Sequence, residues 1–231
     1  MKQNPLMLAL DLDDRNKILD LIHETKDYIW TYKVGPRLFL KEGPSFIKKI
    51  KKLAPFCKVF LDFKFYDIPS STLSAVQSAF EIGADFVTVH AKVGPRSLKE
   101  LYQLEKSLKK IKFFKILCVS VLSSVEMSDK TQKEVLILAD QVYQSGLRAL
   151  VCSPFEVKTL REKYSDLFLV TPGIRLDGDF QFDQKRTMTA RDALQAGSSA
   201  LVLGRSILNK KDPLKVLKSL VMSLGLAYAS S

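Results

Sequence analysis

The chain has 231 residues, 46% of them hydrophobic and 26% charged, a composition that excludes a disordered or fibrous protein. No run of about 18 apolar residues interrupts it, and the opening Met-Lys-Gln-Asn-Pro precedes only a short apolar stretch, so a membrane span and a secretion signal are not expected and a cytoplasmic protein is. Lys and Arg outnumber Asp and Glu by 36 to 25, a net charge of +11, which leaves two classes open: a nucleic-acid binder, or a basic enzyme with an anionic substrate.

Short apolar runs bounded by turn residues alternate with amphipathic stretches along the whole chain. The pattern predicts a strand from Met7 to Leu12, then a helix from Arg15 to Asp27. Trp30 to Val34 is followed by Ser45 to Lys52, Val59 to Phe63 by Ser70 to Ile82, and Phe86 to His90 by Pro95 to Lys109. In the second half, Phe114 to Val121 is followed by Lys130 to Ser145, and Ala149 to Cys152 by Phe155 to Lys163. Leu167 to Thr171 then leads to Thr189 to Ala196, and Ala200 to Leu203 to Pro213 to Leu224. A weak repeat supports this count, because Gly83, Gly146 and Gly197 each stand two or three residues before an apolar run. Glycine closes a helix in the left-handed conformation, so each reads as a helix end feeding a buried parallel strand. Eight such units predict an α/β protein of the (β/α)8 barrel type, and no linker divides it, so one domain over 1–231 is expected.

The densest basic runs, Lys48 to Lys52 and Lys106 to Lys110, carry apolar residues at helical spacing and read as solvated helix faces. No aromatic residues alternate with these lysines, as a single-strand binder would require, so no nucleic-acid partner is expected. Cys57, Cys118 and Cys152 sit in or beside apolar runs with no C-x-x-C pair. They read as reduced core thiols, with neither a disulfide nor a zinc site.

In such a barrel the reacting groups lie at the carboxyl ends of the strands. Reading strand by strand, those ends carry Asp11, Lys33, Asp62 with Lys64, His90, Ser120 with Ser123, Ser153, Thr171, and Gly204 with Arg205. The strongest local signal is Leu61 to Pro69, Leu-Asp-Phe-Lys-Phe-Tyr-Asp-Ile-Pro. Asp62 and Lys64 are two apart on a strand and share a face, with Asp67 in the loop beyond. A buried structural ion cluster is the plainer explanation, but a strand-end position favours function. A second signal lies after strands seven and eight, where Thr171-Pro172-Gly173-Ile174-Arg175 and Leu203-Gly204-Arg205-Ser206 put glycines and arginines at the two loops that hold phosphate in many such barrels.

These segments, with Ala9-Leu10-Asp11, Tyr32-Lys33-Val34-Gly35, Val89-His90-Ala91 and Asp183-Gln184-Lys185-Arg186, together resemble the orotidine 5′-phosphate decarboxylase family, and closely its bacterial branch, in order and spacing from about Leu8 to Ser206. The resemblance implies conversion of orotidine 5′-monophosphate to uridine 5′-monophosphate and CO2, the last step of pyrimidine nucleotide synthesis, with no metal and no organic cofactor. It implies a catalytic set of Lys33, Asp62, Lys64 and Asp67. Lys64 protonates C6 of the pyrimidine, Asp62 lies beside the departing carboxylate, and Lys33 holds the network and a ribose hydroxyl. Asp67 reaches across from a second subunit, so a homodimer with shared sites is implied. Asp11 and Ser71 match ribose contacts and Ser123 a pyrimidine contact. Pro172, Arg175, Gln184, Gly204 and Arg205 match the phosphate end, with Gln184 on a loop that closes over the substrate. Ser70-Ser71 stands where the bacterial branch usually has Asn-Thr, and Leu122-Ser123-Ser124 where it has Leu-Thr-Ser. His90 also matches a family residue, but a lone strand-end histidine reads as structural and is left outside the catalytic set.

The nearest alternatives are 3-keto-L-gulonate 6-phosphate decarboxylase and hexulose phosphate synthase, which share the Asp-x-Lys-x-x-Asp strand and the phosphate loops. Those magnesium-dependent enzymes carry an acid where this chain has Lys33.

Overall fold

The computed structural model describes residues 4–122, 125, 128–176 and 188–227. Eight parallel strands close a barrel: β1 (Leu6–Ala9), β2 (Thr31–Val34), β3 (Lys58–Phe65), β4 (Phe86–His90), β5 (Lys115–Val119), β6 (Ala149–Val151), β7 (Phe168–Thr171) and β8 (Ala200–Leu203). Each strand pairs with its neighbours in sequence, and the pairing of Leu6 with Leu201 and Met7 with Val202 joins β8 back to β1. Helices stand between the strands, so the (β/α)8 barrel expected from the sequence is the observed fold.

Local signals place the helices. Asp14 caps the helix Arg15–Thr25 by accepting from the backbone N–H groups of Asn16 and Lys17, and Ser128 caps Asp129–Ser145 through the N–H of Thr131. Proline opens the helices Pro36–Glu42, Pro69–Glu81, Pro95–Leu108 and Pro213–Ser223, where its missing N–H costs nothing. The three repeated glycines, Gly83, Gly146 and Gly197, have φ of 108°, 99° and 110°. At Gly146 a Cβ would also lie 2.9 Å from the Tyr102 ring, so glycine is required there by conformation and by space.

Several boundaries differ from expectation. β1 ends at Ala9 rather than Leu12, and β5 spans Lys115–Val119 rather than Phe114 to Val121, because the chain leaves the ladder early wherever it turns into the loops over the barrel mouth. β3 instead runs on to Phe65: Leu61 pairs with Val87 and Phe65 with Val89, so four steps of β3 oppose two of β4. That irregularity is a bulge. The helix Pro36–Glu42, the single turns Ala91–Val93 and Pro154–Glu156, the four-residue helix Arg205–Leu208 and the short parallel pair Ile174–Arg175 with Met188–Thr189 were not expected. All are too short for a hydrophobic period to register.

The core has two layers. Tyr32, Val34, Val59, Leu61, Val87 and Val89 face outward onto the helices. Met7, Trp30, Phe60, Phe86, Leu117, Val170 and Val202 fill the barrel itself. Phe86 is the hub of that inner plug, with its ring centroid 5.3 Å from Trp30 and from Phe113, and 6.2 Å from Phe60 and from Phe168. The lysine run of the helix Ser45–Leu53 lies over buried Phe46, Ile47 and Ile50, as an amphipathic helix requires, and Cys57, Cys118 and Cys152 are free and buried. No described helix is long and apolar enough to cross a membrane.

Phe86→Ala should therefore destabilise the fold by about 3–5 kcal/mol, the range for emptying a fully packed aromatic site. Urea unfolding followed by tryptophan fluorescence would measure it, because Trp30 packs directly on the deleted ring.

Candidate active site

Alternation along each strand carries the inner face from apolar to charged. On β2 the inward positions run from Thr31 to Lys33, on β3 from Phe60 to Asp62 and Lys64, and on β4 from Phe86 to Thr88. The aromatic plug thus closes the amino end of the barrel while polar groups crowd the carboxyl end. There they line a cavity of about 320 Å³ with Asp11, Lys33, Asp62 and Lys64 on one side and Pro172, Gly173, Arg175, Gly204 and Arg205 among its other lining residues. Its volume falls at the small end of ligand-sized pockets. Val119, Val121, Leu122 and Val151 add an apolar wall, and Ser153 joins the lining while its hydroxyl accepts from the Phe155 N–H.

The charged side is an alternating array. Lys33 Nζ lies 3.6 Å from Asp11 Oδ2 and 3.5 Å from Asp62 Oδ2, and Lys64 Nζ donates to Asp62 Oδ1 at 2.7 Å. Burial pushes the Asp62 carboxyl up, but Lys33, Lys64 and the hydrogen bonds from Lys64 and Thr88 outweigh it and hold its pKa below the ordinary carboxylate value. Asp62 therefore stays ionised at neutral pH.

Lys64 is the sole described non-glycine residue with positive φ, at 52°. A left-handed lysine costs about 1–3 kcal/mol and persists only where its surroundings impose it. Here they do: the bulge in β3 turns the chain, and the Lys64 N–H donates to Thr88 Oγ1 at 2.8 Å. The same hydroxyl donates to Asp62 Oδ1 at 3.1 Å. The expectation that Asp62 and Lys64 share a face is met, but through a bulge rather than by simple alternation. Thr88 was missed, although its parity with Phe86 on β4 points it into the barrel.

Two other buried acids show what a structural ion pair looks like in this fold. Asp85 accepts from the Val59 N–H at 2.7 Å and pairs with Lys51, and Glu105 accepts from the Ile116 N–H and pairs with Lys109. Each ties a carboxylate to backbone. Asp62 is bound instead to side-chain donors, two of them ammonium groups that face open space in the cavity. That difference favours a working site over a structural pair.

The remaining expected residues divide. Gly204 precedes the helix Arg205–Leu208, so Arg205 stands at its first turn beside the cavity. Asp67 and Ser71 are exposed and outside the cavity of their own chain. Asp67 Oδ1 accepts from the Ile68 N–H at 2.7 Å. Ser123 and Gln184 lie outside the described residues. His90 is not part of the cavity lining; its Nδ1 accepts from the Lys92 N–H at 3.2 Å and caps the turn Ala91–Val93. Burial, helped by Lys92 and Lys64, lowers its pKa and keeps it neutral at pH 7.

Comparison with known proteins adds an independent line. A family described as orotidine 5′-phosphate decarboxylase / HUMPS matches residues 4–220. Proteins named orotidine 5′-phosphate decarboxylase are similar along nearly the whole chain. The one from Prochlorococcus marinus (strain MIT 9215) is 37% identical over 96% of this chain and 96% of its own. The one from Vibrio campbellii (strain ATCC BAA-1116) is 38% identical over 97% and 99%, and the one from Sulfurimonas denitrificans is 34% identical over 94% and 98%.

The electrostatics predict a pH dependence of stability. Because the folded pKa of Asp62 is depressed, its ionisation stabilises the fold above the unfolded carboxylate value of about 3.9, and that contribution is lost as pH falls through the folded value. Asp62→Asn should lower stability at pH 7 by on the order of 2 kcal/mol, and the gap from the parent should close on acidification. Urea titrations at a series of pH values would check both.

Proposed function

The chain belongs to the orotidine 5′-phosphate decarboxylase / HUMPS family, and we infer from the site it carries that its reaction is the decarboxylation of orotidine 5′-monophosphate to uridine 5′-monophosphate in pyrimidine nucleotide synthesis. The observation that carries this reading is the alternating array Asp11, Lys33, Asp62, Lys64 at one side of a cavity that Gly204 and Arg205 also line.

Loss of CO2 leaves an electron pair at C6 of the pyrimidine, which no ring carbonyl is placed to delocalise. A fixed ammonium is then the group that can stabilise it, and Lys64 takes that role. It hands one proton to C6, becomes an amine and is reprotonated from solvent. Asp62 holds Lys64 charged until then and stands beside the substrate carboxylate that departs. Lys33 bridges Asp62 and Asp11, and with Asp11 and Ser71 it binds the ribose, while Ser123 contacts the pyrimidine. The phosphate lies at the far side, with Pro172, Arg175, Gln184, Gly204 and Arg205. Its binding energy, remote from C6, is available for closing the loop around Gln184 and raising kcat.

Lys33 also argues for a reaction without a metal. Its ammonium lies between Asp11 and Asp62, the place where a divalent cation would bridge those two carboxylates, and a cation there would be repelled. This separates the reading from magnesium-dependent chemistry on the same scaffold.

Asp67 and Ser71 are assigned to the site of a second copy. Both are exposed in their own chain beside Tyr66 and Ile68, which are 63% and 64% exposed. Large apolar groups flanking a polar pair have the composition of an interface core rather than of a solvated loop. A two-fold dimer that covers them would bring each Asp67 to the neighbouring Lys64. The same reading places the protein in the cytoplasm, where three free thiols stay reduced, and gives it no nucleic-acid or membrane partner.

Turnover, followed by the loss of orotidine monophosphate absorbance, should persist in EDTA. Lys64→Ala should lower kcat more than about a thousandfold while calorimetry still shows uridine monophosphate binding; turnover within tenfold of the parent would refute its role as proton donor. Lys64→Ala and Asp67→Ala dimers should each be inactive. When equal amounts are unfolded and reassembled together, about half the dimers are mixed and half of their sites intact, so roughly a quarter of parental activity should return. Verified subunit exchange with no recovery would place both residues in one chain's site.

A further inference from the structure

We propose that Thr88 is a positioning residue for the decarboxylation, its single hydroxyl fixing both where Lys64 stands and which partner Asp62 keeps when Lys64 gives up its proton. The inference rests on the reading of Lys64 and Asp62 given above.

Thr88 Oγ1 is fully buried on β4 and joins two functions in one atom. As acceptor it takes the Lys64 N–H at 2.8 Å; as donor it reaches Asp62 Oδ1 at 3.1 Å. A second acceptor, the Leu61 carbonyl, stands at 3.5 Å, the outer limit of a useful bond. Of the two acceptors the charged carboxylate is the nearer, so the hydroxyl proton goes to Asp62. The first bond holds Lys64 in the left-handed conformation that no other described non-glycine residue adopts. The second matters during turnover. Before proton transfer, Asp62 Oδ1 has two donors, Lys64 Nζ and Thr88, and Oδ2 faces Lys33. Once Lys64 is an amine, one ammonium has gone from the array, and Thr88 is the donor that remains on Oδ1. It keeps the carboxylate from rotating and from taking up a proton before Lys64 is recharged.

The charged and titratable groups around Asp62 are Asp11 beyond β1, Lys33 on β2, Lys64 on β3 and His90, two residues past Thr88 on β4. Thr88→Val leaves all four in place and removes only the hydroxyl. It should lower kcat about tenfold with KM within twofold, and move the acid limb of kcat/KM to higher pH by about 0.5–1 unit, since a carboxylate that loses a donor is protonated more easily. Thr88→Ser, which keeps the hydroxyl, should restore most of kcat and the parental acid limb. A purely structural role would lower the thermal midpoint without moving that limb. If Thr88→Val does not fold, Thr88→Ala carries the same comparison. Parental kcat and an unmoved acid limb in a folded hydroxyl-free variant would overturn the inference. Lys64→Ala, assayed in parallel, separates the two failures: if it retains turnover, the underlying reading is wrong, and if it is inactive while the Thr88 variant behaves as parent, only the role of Thr88 is.

Discussion

One carboxylate shared between two ammonium groups is the constraint around which the site is arranged. Asp62 faces Lys33 through one oxygen and Lys64 through the other, and a carboxylate between them offsets the repulsion of two neighbouring cations. The arrangement also explains why the barrel interior is divided. An aromatic plug around Phe86 fills one end, and the charged array stands above it.

The charged array depends on strand geometry in a way that places its strain at one residue. Lys33 reaches Asp62 across regular β2–β3 pairing, Lys33 with Phe60, and both side chains leave ordinary backbone. Lys64 does not: it sits past the bulge, left-handed, tied to β4. Strain in a fold is retained where something else over-determines it, and here the neighbouring strand does so. Lys64 is thus held by backbone hydrogen bonding at its main chain as well as by charge at its ammonium.

Much of this was legible in the sequence because its periodicities are physical. Two-residue alternation sets which side chains enter a barrel, and glycines at fixed offsets close the helices, so the eight strands and the inward pair Asp62 and Lys64 could be read before any coordinates. The segments that escaped were those without a period: the turn at Ala91–Val93, the helix Arg205–Leu208, and the pairing of Ile174–Arg175 with Met188–Thr189. The bulge escaped for a related reason, since it arises from two strands together and neither sequence marks it alone. Thr88 was hidden by its chemistry. A threonine in a strand is ordinary, and only its position between the Lys64 N–H and the Asp62 carboxylate sets it apart. Asp67 and Ser71 stand on the surface of the single chain, so their assignment to a shared site rests on the resemblance and not on the fold.

The closure of β8 onto β1 reaches beyond the finished molecule. Leu6, Met7 and Leu8 pair with Leu201, Val202 and Leu203, a strand made almost 200 residues later. At about 5–20 residues per second the first strand waits on the order of 10–40 s for its partner. Until then the β1 edge has no partner, and an unpaired apolar edge is the form of β-structure most ready to join a neighbouring chain. Contacts so distant in sequence also slow closure itself. Permuting the chain would not remove the wait: in a closed barrel the first and last strands made are always neighbours, so moving the ends changes only which pair closes last.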